Sequence, residues 1–541
     1  MILQALVKRF DDTGGGIPGW QNRFADYAVN IDSEGRVMDI VPLEQQDGKK
    51  RIRKQFMLPE EPPGRTSGIK AAFLCDNKGY FFGIDNKHGI EKFKAASTLH
   101  QEVLKDLKTT ASEAIKAFFR EAKPPADLAE TGNFVFMIEG KYAHEDSDIC
   151  HAWNEYQMSN VQGEIIRCLV SGKQDRIANL HGKIKLNGVS MGAVPLISIN
   201  SESFASYGKS ASDPAAQIGQ KSCFSYVTAL NDLLQDIKHH KRVAQDTLVY
   251  WAEGNDNKEA ETFSLLTEPR ESDTGKLNAI MKSVVSGNRV NVDGCDLKKR
   301  FYLLCLSPNA GRISVRLFLM DSFGNILYNI ARHYQNLEIV GNSKFPYIPL
   351  WMILCETTVK KTAGDAAPLL GGQLLETIVS DKAYPLTLFN AIMTRIRAGE
   401  EINQTKAAVI KAVLTRNFNS EVANVALNKD SMNVPYTLGR LFNVLEYLQE
   451  KANGSSTIRQ RYFSSACSNP VNVFPTLLSI SMHHADKLDN AAWFEKQKSE
   501  LIGRLDSECP FPTTLSLQQQ GEFIVGYYHQ QQDRYTKKEE K

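Results

Sequence analysis

Two short segments carry side chains in patterns that enzymes use, and the first resembles the nucleophile turn of a hydrolase. Residues 188–192 read GVSMG and match G-x-S-x-G, in which a sharp strand-to-helix turn exposes a serine hydroxyl beside backbone N–H donors. The residues that follow, AVPLI, indicate an extended segment, and Pro195 is unfavourable inside a helix. The structural context that this chemistry requires is missing, so we do not expect Ser190 to act as a nucleophile.

The second segment could hold a divalent cation. Asp127, Glu139 and Lys141 combine carboxylates with a lysine, as metal-dependent nucleases do when they bind a cation that activates water. So loose a spacing also arises among ordinary surface charges, which is the favoured interpretation. A metal-dependent nuclease is kept as the alternative.

Other polar motifs do not support catalysis. The glycine run at residues 14–16 lacks the G-K-[ST] ending of a phosphate-binding loop. His483 and His484 are adjacent on a predicted helix, where their side chains diverge by about 100° and cannot easily share a metal ion. We therefore expect no catalytic residue, no cofactor and no metal site.

The bulk composition excludes several classes of protein. The 541 residues contain 64 Lys and Arg against 62 Asp and Glu, a formal charge of +2, which excludes a histone-like coat of positive charge. The content of 42% hydrophobic residues is typical of a globular protein, and the length predicts more than one domain. The nine cysteines are scattered and form no C-x-x-C pair, which is typical of reduced thiols. We find no apolar run long enough to span a bilayer and no secretory signal, so we expect a cytoplasmic protein.

Positive charge is instead concentrated in a few segments that could bind phosphate groups. Residues 49–54 read KKRIRK, for which a solvated strand edge is the alternative, and residues 238–242 read KHHKR at the expected end of an amphipathic helix. Residues 63–70 read PGRTSGIK and place two glycines, two hydroxyls and two cations in one loop. Glycines allow backbone N–H groups to approach a phosphate, while Arg and Lys neutralise its charge.

The periodicity of apolar residues predicts an α+β architecture, with a β-rich N-terminal part of hairpins and packed helices followed by an all-α C-terminal helical bundle. Hairpins are expected at residues 27–41 and 73–82, the second with Asn77 and Lys78 at its tip, where they could enter a minor groove. We expect a helix at residues 97–119, a surface loop at 254–276, and strands at 300–306 and 313–320. Helical periodicity takes over after about residue 346.

The chain resembles, from end to end, the large subunit of the subtype I-C CRISPR Cascade complex. The resemblance lies in an ordered series of short segments: MILQAL (1–6), RTSGIK (65–70), FLCDN (73–77), FASYGK (204–209), YVTALN (226–231), LSPNAGRISVR (306–316), LGRLF (438–442), IRQRYF (458–463) and GYYHQ (526–530). One departure lies at residues 188–195, where the family tends to have a Ser/Gly-rich run, so we assign no nucleic-acid role to that loop.

The resemblance implies a non-catalytic subunit that checks the protospacer-adjacent motif in duplex DNA and helps to open the duplex, while a guide RNA reads the rest of the target. The implied partners are the guide RNA complex, target double-stranded DNA, Cascade backbone and 5′-end-capping subunits, small subunits, and a helicase-nuclease recruited in trans. A purely structural scaffold subunit is a further alternative.

The resemblance also implies a division into domains. Residues 1–345 form an α+β domain for guide docking and motif recognition, 346–431 a helical connector, and 432–541 a bundle resembling a Cascade small subunit. Met432 immediately precedes that bundle, and we hypothesise that it is an internal start for a separate small product.

The expected nucleic-acid contacts come from three parts of the chain. The duplex contacts are Arg65, Thr66, Ser67, Lys70, Asn77 and Lys78; backbone contacts come from Lys209, Arg312 and Arg316; and bundle contacts to a DNA strand come from Arg459, Arg461 and Tyr462.

Overall fold

The structure is a computed structural model in which the chain forms two compact units. The first contains Met1–Asp236 and Pro308–Ile313, and the second contains Ile237–Ser307 and Ser314–Lys541. The residues described are 1–15, 19–47, 50–62, 65, 68–85, 87–121, 131–159, 163–190, 192–199, 201–206, 208–210, 213–285, 294–341, 345, 347–506 and 508–535. The three-part division that the sequence suggested stays a prediction.

The first unit is rich in short strands. These are β1 (Trp20–Phe24), β2 (Tyr27–Ile31), β3 (Val37–Pro42), β4 (Glu44–Asp47), β5 (Lys50–Arg53), β6 (Gln55–Pro59), β7 (Cys75–Asn77), β8 (Asn133–Ile138), β9 (Lys141–Tyr142), β10 (Ile165–Arg167), β11 (Gln174–Arg176), β12 (Lys183–Ile184) and β13 (Val194–Pro195). Its helices are α1 (Ile2–Asp12), α2 (Lys78–Phe82), α3 (Gly89–Val103), α4 (Thr110–Glu121), α5 (Ser147–Ser159) and α6 (Gln220–Gln235), with 3₁₀ helices at Ala143–Glu145 and Glu202–Phe204.

A five-stranded sheet forms the centre of this unit. Its strands lie in the order β3-β2-β8-β7, with β9 also paired to β8, and β2 runs parallel to β8. The hairpin expected at residues 27–41 is confirmed, because β2 pairs antiparallel with β3. Its turn forms because the Asp32 carboxylate accepts hydrogen bonds from the backbone N–H groups of Glu34 and Arg36, and Gly35 supplies the positive φ of 80°. One face of the sheet packs on an aromatic core that includes Phe81, Phe118, Phe134 and Phe136.

The second unit combines one sheet with many helices. Its sheet contains β14 (His240–Val243), β15 (Asp246–Ala252), β16 (Arg300–Asn309) and β17 (Arg312–Ser322), in that order, and the ends of β16 and β17 at residues 308–313 belong to the first unit. Its helices are α7 (Lys258–Thr267), α8 (Thr274–Val285), α9 (Phe323–Leu337), α10 (Leu350–Cys355), α11 (Leu370–Ser380), α12 (Leu386–Arg397), α13 (Gln404–Phe418), α14 (Val434–Asn453), α15 (Ile458–Ser468), α16 (Pro470–Ala485), α17 (Ala492–Ile502) and α18 (Leu517–Gln532), with 3₁₀ helices at Glu271–Asp273 and Ala363–Asp365. The strands expected at residues 300–306 and 313–320 and the all-helical C-terminal region are confirmed.

The hairpin expected at residues 73–82 is wrong, and this moves Asn77 and Lys78 from a hairpin tip to the start of a helix. β7 ends at Asn77 and pairs with β8 rather than with residues 80–82. The Asn77 side chain accepts a hydrogen bond from the Gly79 N–H at 3.0 Å and so acts as the N-cap of α2, which ends at Gly83 in the left-handed conformation. The same residue types serve turns and helix caps, which is why the sequence was misread.

Three other sequence expectations need correction. The single helix at residues 97–119 is two helices, because Thr109 caps α4 by accepting a hydrogen bond from the Ser112 N–H at 3.2 Å. The surface loop at 254–276 contains α7 and the start of α8, and Ala260, Phe263 and Leu266 are buried at helical spacing. The KHHKR run does not end a helix, since α6 stops at Gln235 and residues 240–243 form β14.

Candidate nucleic-acid interface

Arg65 is held inside the first unit by two carboxylates and a tyrosine ring. Its Nη2 donates to both oxygens of Asp76 at 2.7 Å, its Nη1 donates to Glu61 at 2.6 Å, and the guanidinium lies over the ring of Tyr80. Its side chain is only 16% exposed. Burial alone would lower the pKa of Arg65, but the Asp76 carboxylate more than offsets this, so the pKa is raised and the charge is secure. Arg65 therefore fixes the segment before α2, and its expected contact with a duplex stays a prediction.

Asp76 connects this segment to the sheet. Its side chain is buried and also accepts hydrogen bonds from the backbone N–H groups of Ala72 and Asn77, each at 2.8 Å. A buried carboxylate that is paired with an arginine and two N–H donors is costly to disturb. The ion pair thus fixes the Arg65 side chain beside β7.

Arg23, on β1, holds both ends of the same segment. Its Nη1 donates to the carbonyl oxygen of Pro59 at 3.0 Å and lies 3.4 Å from that of Cys75. Beside it, burial raises the pKa of Glu60 to about 7, although the Arg23 charge acts in the opposite direction. Arg23 therefore holds the end of β6 and the start of β7 against one side chain.

His100, on α3, holds a strained residue at the start of β7. Leu74 has a φ of 58°, an unfavourable value for a leucine, and its N–H donates to His100 Nε2 at 3.0 Å. His100 Nδ1 lies 2.8 Å from the carbonyl oxygen of Ala96, which makes Nδ1 the protonated nitrogen and Nε2 the acceptor. Burial lowers the pKa of His100 to about 4, so the ring is neutral near pH 7.

The other predicted duplex contacts differ in exposure. Lys70 and Asn77 are exposed and Lys78 is half-buried. Thr66 and Ser67 lie outside the described residues. The structure thus presents one cation and one amide at the surface, close in the chain to the Arg65–Asp76 ion pair, an arrangement suited to contacting a nucleic-acid backbone or a base edge.

A second group lies around the loop at residues 201–210 and the turn at 308–313. The Arg312 guanidinium stacks over the ring of Phe204, which is 45% exposed, and Lys209 Nζ donates to the carbonyl oxygen of Pro214 at 2.8 Å. The Ser190 N–H donates to the carbonyl oxygen of Ala310 at 3.0 Å, so a backbone hydrogen bond joins Ser190 to this turn. The contact that Ser190 makes here is therefore structural and uses its backbone N–H.

Arg316 belongs to β17 in the second unit. It is exposed, and its Nη2 lies 3.5 Å from the Ser307 hydroxyl on β16. The run from Arg312 to Arg316 is extended, as expected, because it forms the first part of β17.

The three predicted residues of α15 differ from one another. Arg459 Nη2 donates to the carbonyl oxygen of Glu400 at 2.8 Å, and its guanidinium lies near the rings of Phe463 and Tyr527. Tyr462 is half-buried against the core. Arg461 alone of these three is exposed, so it is the member of this set best placed to reach a phosphate.

The sequence reading missed Asp76, His100 and Phe204. Asp76 is part of the quoted segment FLCDN, and its proximity to Arg65 depends on the fold of the intervening loop. His100 lies on a different helix from the residue it holds, and local sequence carries no signal for such a pair. Phe204 was visible as an aromatic residue within a loop rich in serine, which is a usable signal for a surface contact.

The alternative metal site is not assembled in the part of the chain that the structure describes. Asp127 lies outside the described residues, and Glu139 and Lys141 flank the turn between β8 and β9. Among the described residues, no group of three or more His, Cys, Asp or Glu side chains is arranged to hold a metal ion. None of the described helices has the length and apolar character to cross a membrane.

Comparison with protein families identifies the chain's relatives. A family described as CRISPR-associated protein (Cas_Csd1) matches residues 6–535, nearly the whole length. No curated protein matches the chain.

Proposed function

The chain belongs to the Cas_Csd1 family of CRISPR-associated proteins, and on this premise we propose that it is the large subunit of a type I-C RNA-guided DNA surveillance complex. In this role it recognises the protospacer-adjacent motif in duplex DNA, helps to unwind the target and recruits a separate helicase-nuclease. Its partners are the guide RNA, the backbone and 5′-end-capping subunits and the small subunits. Base pairing by the guide then supplies most of the sequence specificity.

The observation that carries the proposal, beyond membership of the family, is the buried ion pair between Arg65 and Asp76, with Lys70 and Asn77 exposed near it in the chain. A protein that recognises a short motif needs a few side chains held in fixed positions. A mobile side chain must lose conformational entropy when it binds, which costs free energy, and it discriminates poorly between bases. Arg65, paired with Asp76, supports such rigidity, and exposed Lys70 and Asn77 supply a phosphate contact and a base-edge contact.

We also propose that the chain does not itself cut DNA. The competing nuclease would use Asp127, Glu139 and Lys141. Incubating the purified full chain with plasmid DNA and Mg²⁺ or Mn²⁺ distinguishes the two, with an Asp127→Asn variant as control. The subunit role predicts intact DNA at all metal concentrations, whereas metal-dependent cleavage that is lost in the variant would establish the nuclease.

Assembly is tested by co-expression of the tagged chain with a guide RNA and the backbone and 5′-end-capping subunits. We expect the guide RNA and those subunits to co-purify with the chain. A complex that binds motif-bearing duplex no better when the chain is present would instead support a structural scaffold.

A further inference from the structure

We infer that the β10–β11 hairpin is a second nucleic-acid contact, which binds the phosphodiester backbone through arginines on its outer face. No sequence motif pointed to this surface, and it is separate from the segment around Arg65. The inference deepens the proposed function and rests on it for the identity of the nucleic acid.

The hairpin has clearly different inner and outer faces. Ile165 pairs with Arg176 and Arg167 pairs with Gln174, so these four side chains share one face, and all four are exposed. The alternate positions carry the side chains directed toward the protein, among which Cys168 and Ile177 are buried. A sheet with one solvated face normally carries mixed polar residues there.

The outer face of the hairpin carries like charges close together. Arg167 and Arg176 are diagonal neighbours, about 7–8 Å apart at their Cα atoms, and Lys173 is exposed in the adjoining turn. Among the described residues, none of these three cations forms an ion pair. Arg167 Nε instead donates to the carbonyl oxygen of Gly172 at 3.1 Å, and Arg176 Nη1 donates to that of Gly163 at 3.2 Å. Such a cluster repels itself unless an anion lies against it.

Exposed apolar groups lie among these cations. Leu169 is 69% exposed at the tip and Ile165 is 62% exposed on the outer face. Large exposed aliphatic side chains beside cations mark a surface that binds a partner with both charged and apolar parts. A nucleic acid has both, because its phosphates alternate with sugars and base faces.

Hydrogen bonds attach the hairpin to the residues before α6 and to the first turn of that helix. The Leu169 N–H donates to the carbonyl oxygen of Gln217 at 2.9 Å, and the Asp175 carboxylate accepts from the Lys221 N–H at 3.0 Å in the first turn of α6. Asp175 is thus turned to the helix, and the outer face of the two described strands carries only Ile165, Arg167, Gln174 and Arg176. Lys221 is itself exposed and adds a fourth cation beside the hairpin.

These features favour a phosphodiester backbone over other anions. Guanidinium groups bind phosphate through paired N–H donors, and two arginines on a fixed ribbon match a repeating anion better than a single small ion. The phosphates could belong to the guide RNA or to the target DNA, and the experiment separates these sources. An acidic protein surface is the competing occupant.

The test compares Arg167→Glu/Arg176→Glu with Arg167→Lys/Arg176→Lys and with the control Lys105→Glu/Lys496→Glu, whose two lysines are exposed elsewhere. Fluorescence anisotropy of the purified full chain with labelled DNA and RNA oligonucleotides is measured from low to moderate salt. We expect the glutamate variant to lose at least tenfold in affinity, with the slope of log K against log salt reduced by about 2, while the lysine variant keeps most of both. Binding by the glutamate variant equal to that of the control would overturn the inference.

The assembled complex identifies the source of the phosphates. If the guide RNA is the ligand, the glutamate variant co-purifies with less guide RNA than the control; if target DNA is, guide content is unchanged and duplex affinity falls. Loss of a protein subunit with both nucleic-acid readouts unchanged would overturn the inference in favour of an acidic protein partner. Failure of even the unmodified chain to assemble would count against the proposed function alone, because the oligonucleotide measurement does not depend on assembly.

Discussion

Buried polar side chains determine the geometry of the surface that we assign to motif recognition. Asp76 and His100 are buried, yet the first fixes the Arg65 side chain and the second fixes the strained backbone of Leu74. The exposed residues Lys70 and Asn77 lie on the same segment. Substitutions in the buried set should therefore reduce motif recognition by displacing the segment, whereas substitutions in the exposed set should act directly on the ligand.

Asn77 has two separable roles, as a helix cap and as a proposed contact with a base edge. Asn77→Ser keeps an oxygen that caps α2 but removes the amide, whereas Asn77→Ala removes both. We predict that Asn77→Ser folds with stability close to that of the unmodified chain and weakens discrimination between motifs by about 10- to 100-fold, the range of one good base contact. Binding of the assembled complex to duplexes with matched and altered motifs measures this.

If Asn77→Ser retains full motif preference while Asn77→Ala loses it, Asn77 acts only as a cap. Thermal unfolding of both variants, measured beside the binding assay, separates a loss of folding from a loss of contact.

His100 should make the first unit sensitive to mild acid. Its folded pKa, about 4, is below the value near 6.5 of an unfolded histidine, so the unfolded state binds more protons between these values. The stabilising effect of the neutral ring is complete above about pH 6.5 and is lost as the pH falls towards 4. At pH 5 the loss is on the order of 2 kcal/mol.

Unfolding by urea at pH 7 and pH 5 tests this effect, with His100→Gln compared with His151→Gln, in which the replaced histidine is exposed. We predict that His100→Gln loses less stability between the two pH values than either the unmodified chain or His151→Gln. An identical pH dependence in all three proteins would show that His100 is not the titrating group.

At the scale of secondary-structure elements, two glycines allow helices α14 and α18 to pack closely. A Cβ atom added at Gly439 would clash with the carbonyl oxygen of Phe523, and one added at Gly526 would clash with that of Tyr436. Moving a flexible side chain could not relieve either clash, because the nearest atoms belong to the backbone. The contact fixes the position of the C-terminal helix within the bundle.

Gly439→Ala and Gly526→Ala should each destabilise the second unit by about 3 kcal/mol or more, because relief of the clash requires the two helix backbones to separate. Gly275→Ala is the control, since a Cβ there meets no atom within 4 Å. Urea unfolding measures the difference. Wild-type stability in both bundle variants would contradict the close packing.

The helical bundle from Met432 onward also packs on two earlier helices, which bears on the hypothesis of an internal start. Gly521 on α18 lies against Phe389 on α12 and against Ile410 and Leu414 on α13. A product beginning at Met432 would expose that apolar face of α18. We predict that such a product is found bound to other subunits rather than alone.

Replacing the Met432 codon with a leucine codon should remove a small C-terminal product from immunoblots of C-terminally tagged chain. Persistence of the product after this change would exclude Met432 as its start.

Elements with strong local signals were predictable, and elements defined by distant contacts were not. The β2–β3 hairpin carries its turn residues and alternation in one short segment, and the C-terminal helices repeat apolar residues at helical spacing. Asn77 was misplaced because one residue type serves both turns and caps. The hairpin β10–β11 is too short for periodicity to reveal, and its basic face becomes visible only when the pairing of Arg167 with Gln174 is known.

At the scale of the whole molecule, near-neutral charge and local nucleic-acid binding are compatible. The 64 basic and 62 acidic residues give a charge of +2, yet cations without acidic partners on the same face occur on the β10–β11 hairpin. Many other cations are neutralised internally, as Arg65 is by Asp76 and Lys406 is by Glu356. A subunit whose surface mostly meets other proteins needs positive charge only where it touches phosphate.

The proposal that this chain reads a motif is tested most directly by selection from a mixed pool of DNA. The assembled complex is incubated with duplexes that share one target but have randomised flanking bases, and the bound fraction is sequenced. We predict strong enrichment of a short motif on one side of the target, no cleavage of the duplexes, and loss of the enrichment with Lys70→Ala/Asn77→Ser while guide-dependent binding persists. Equal recovery of all flanking sequences by the complex containing the unmodified chain would contradict the proposal.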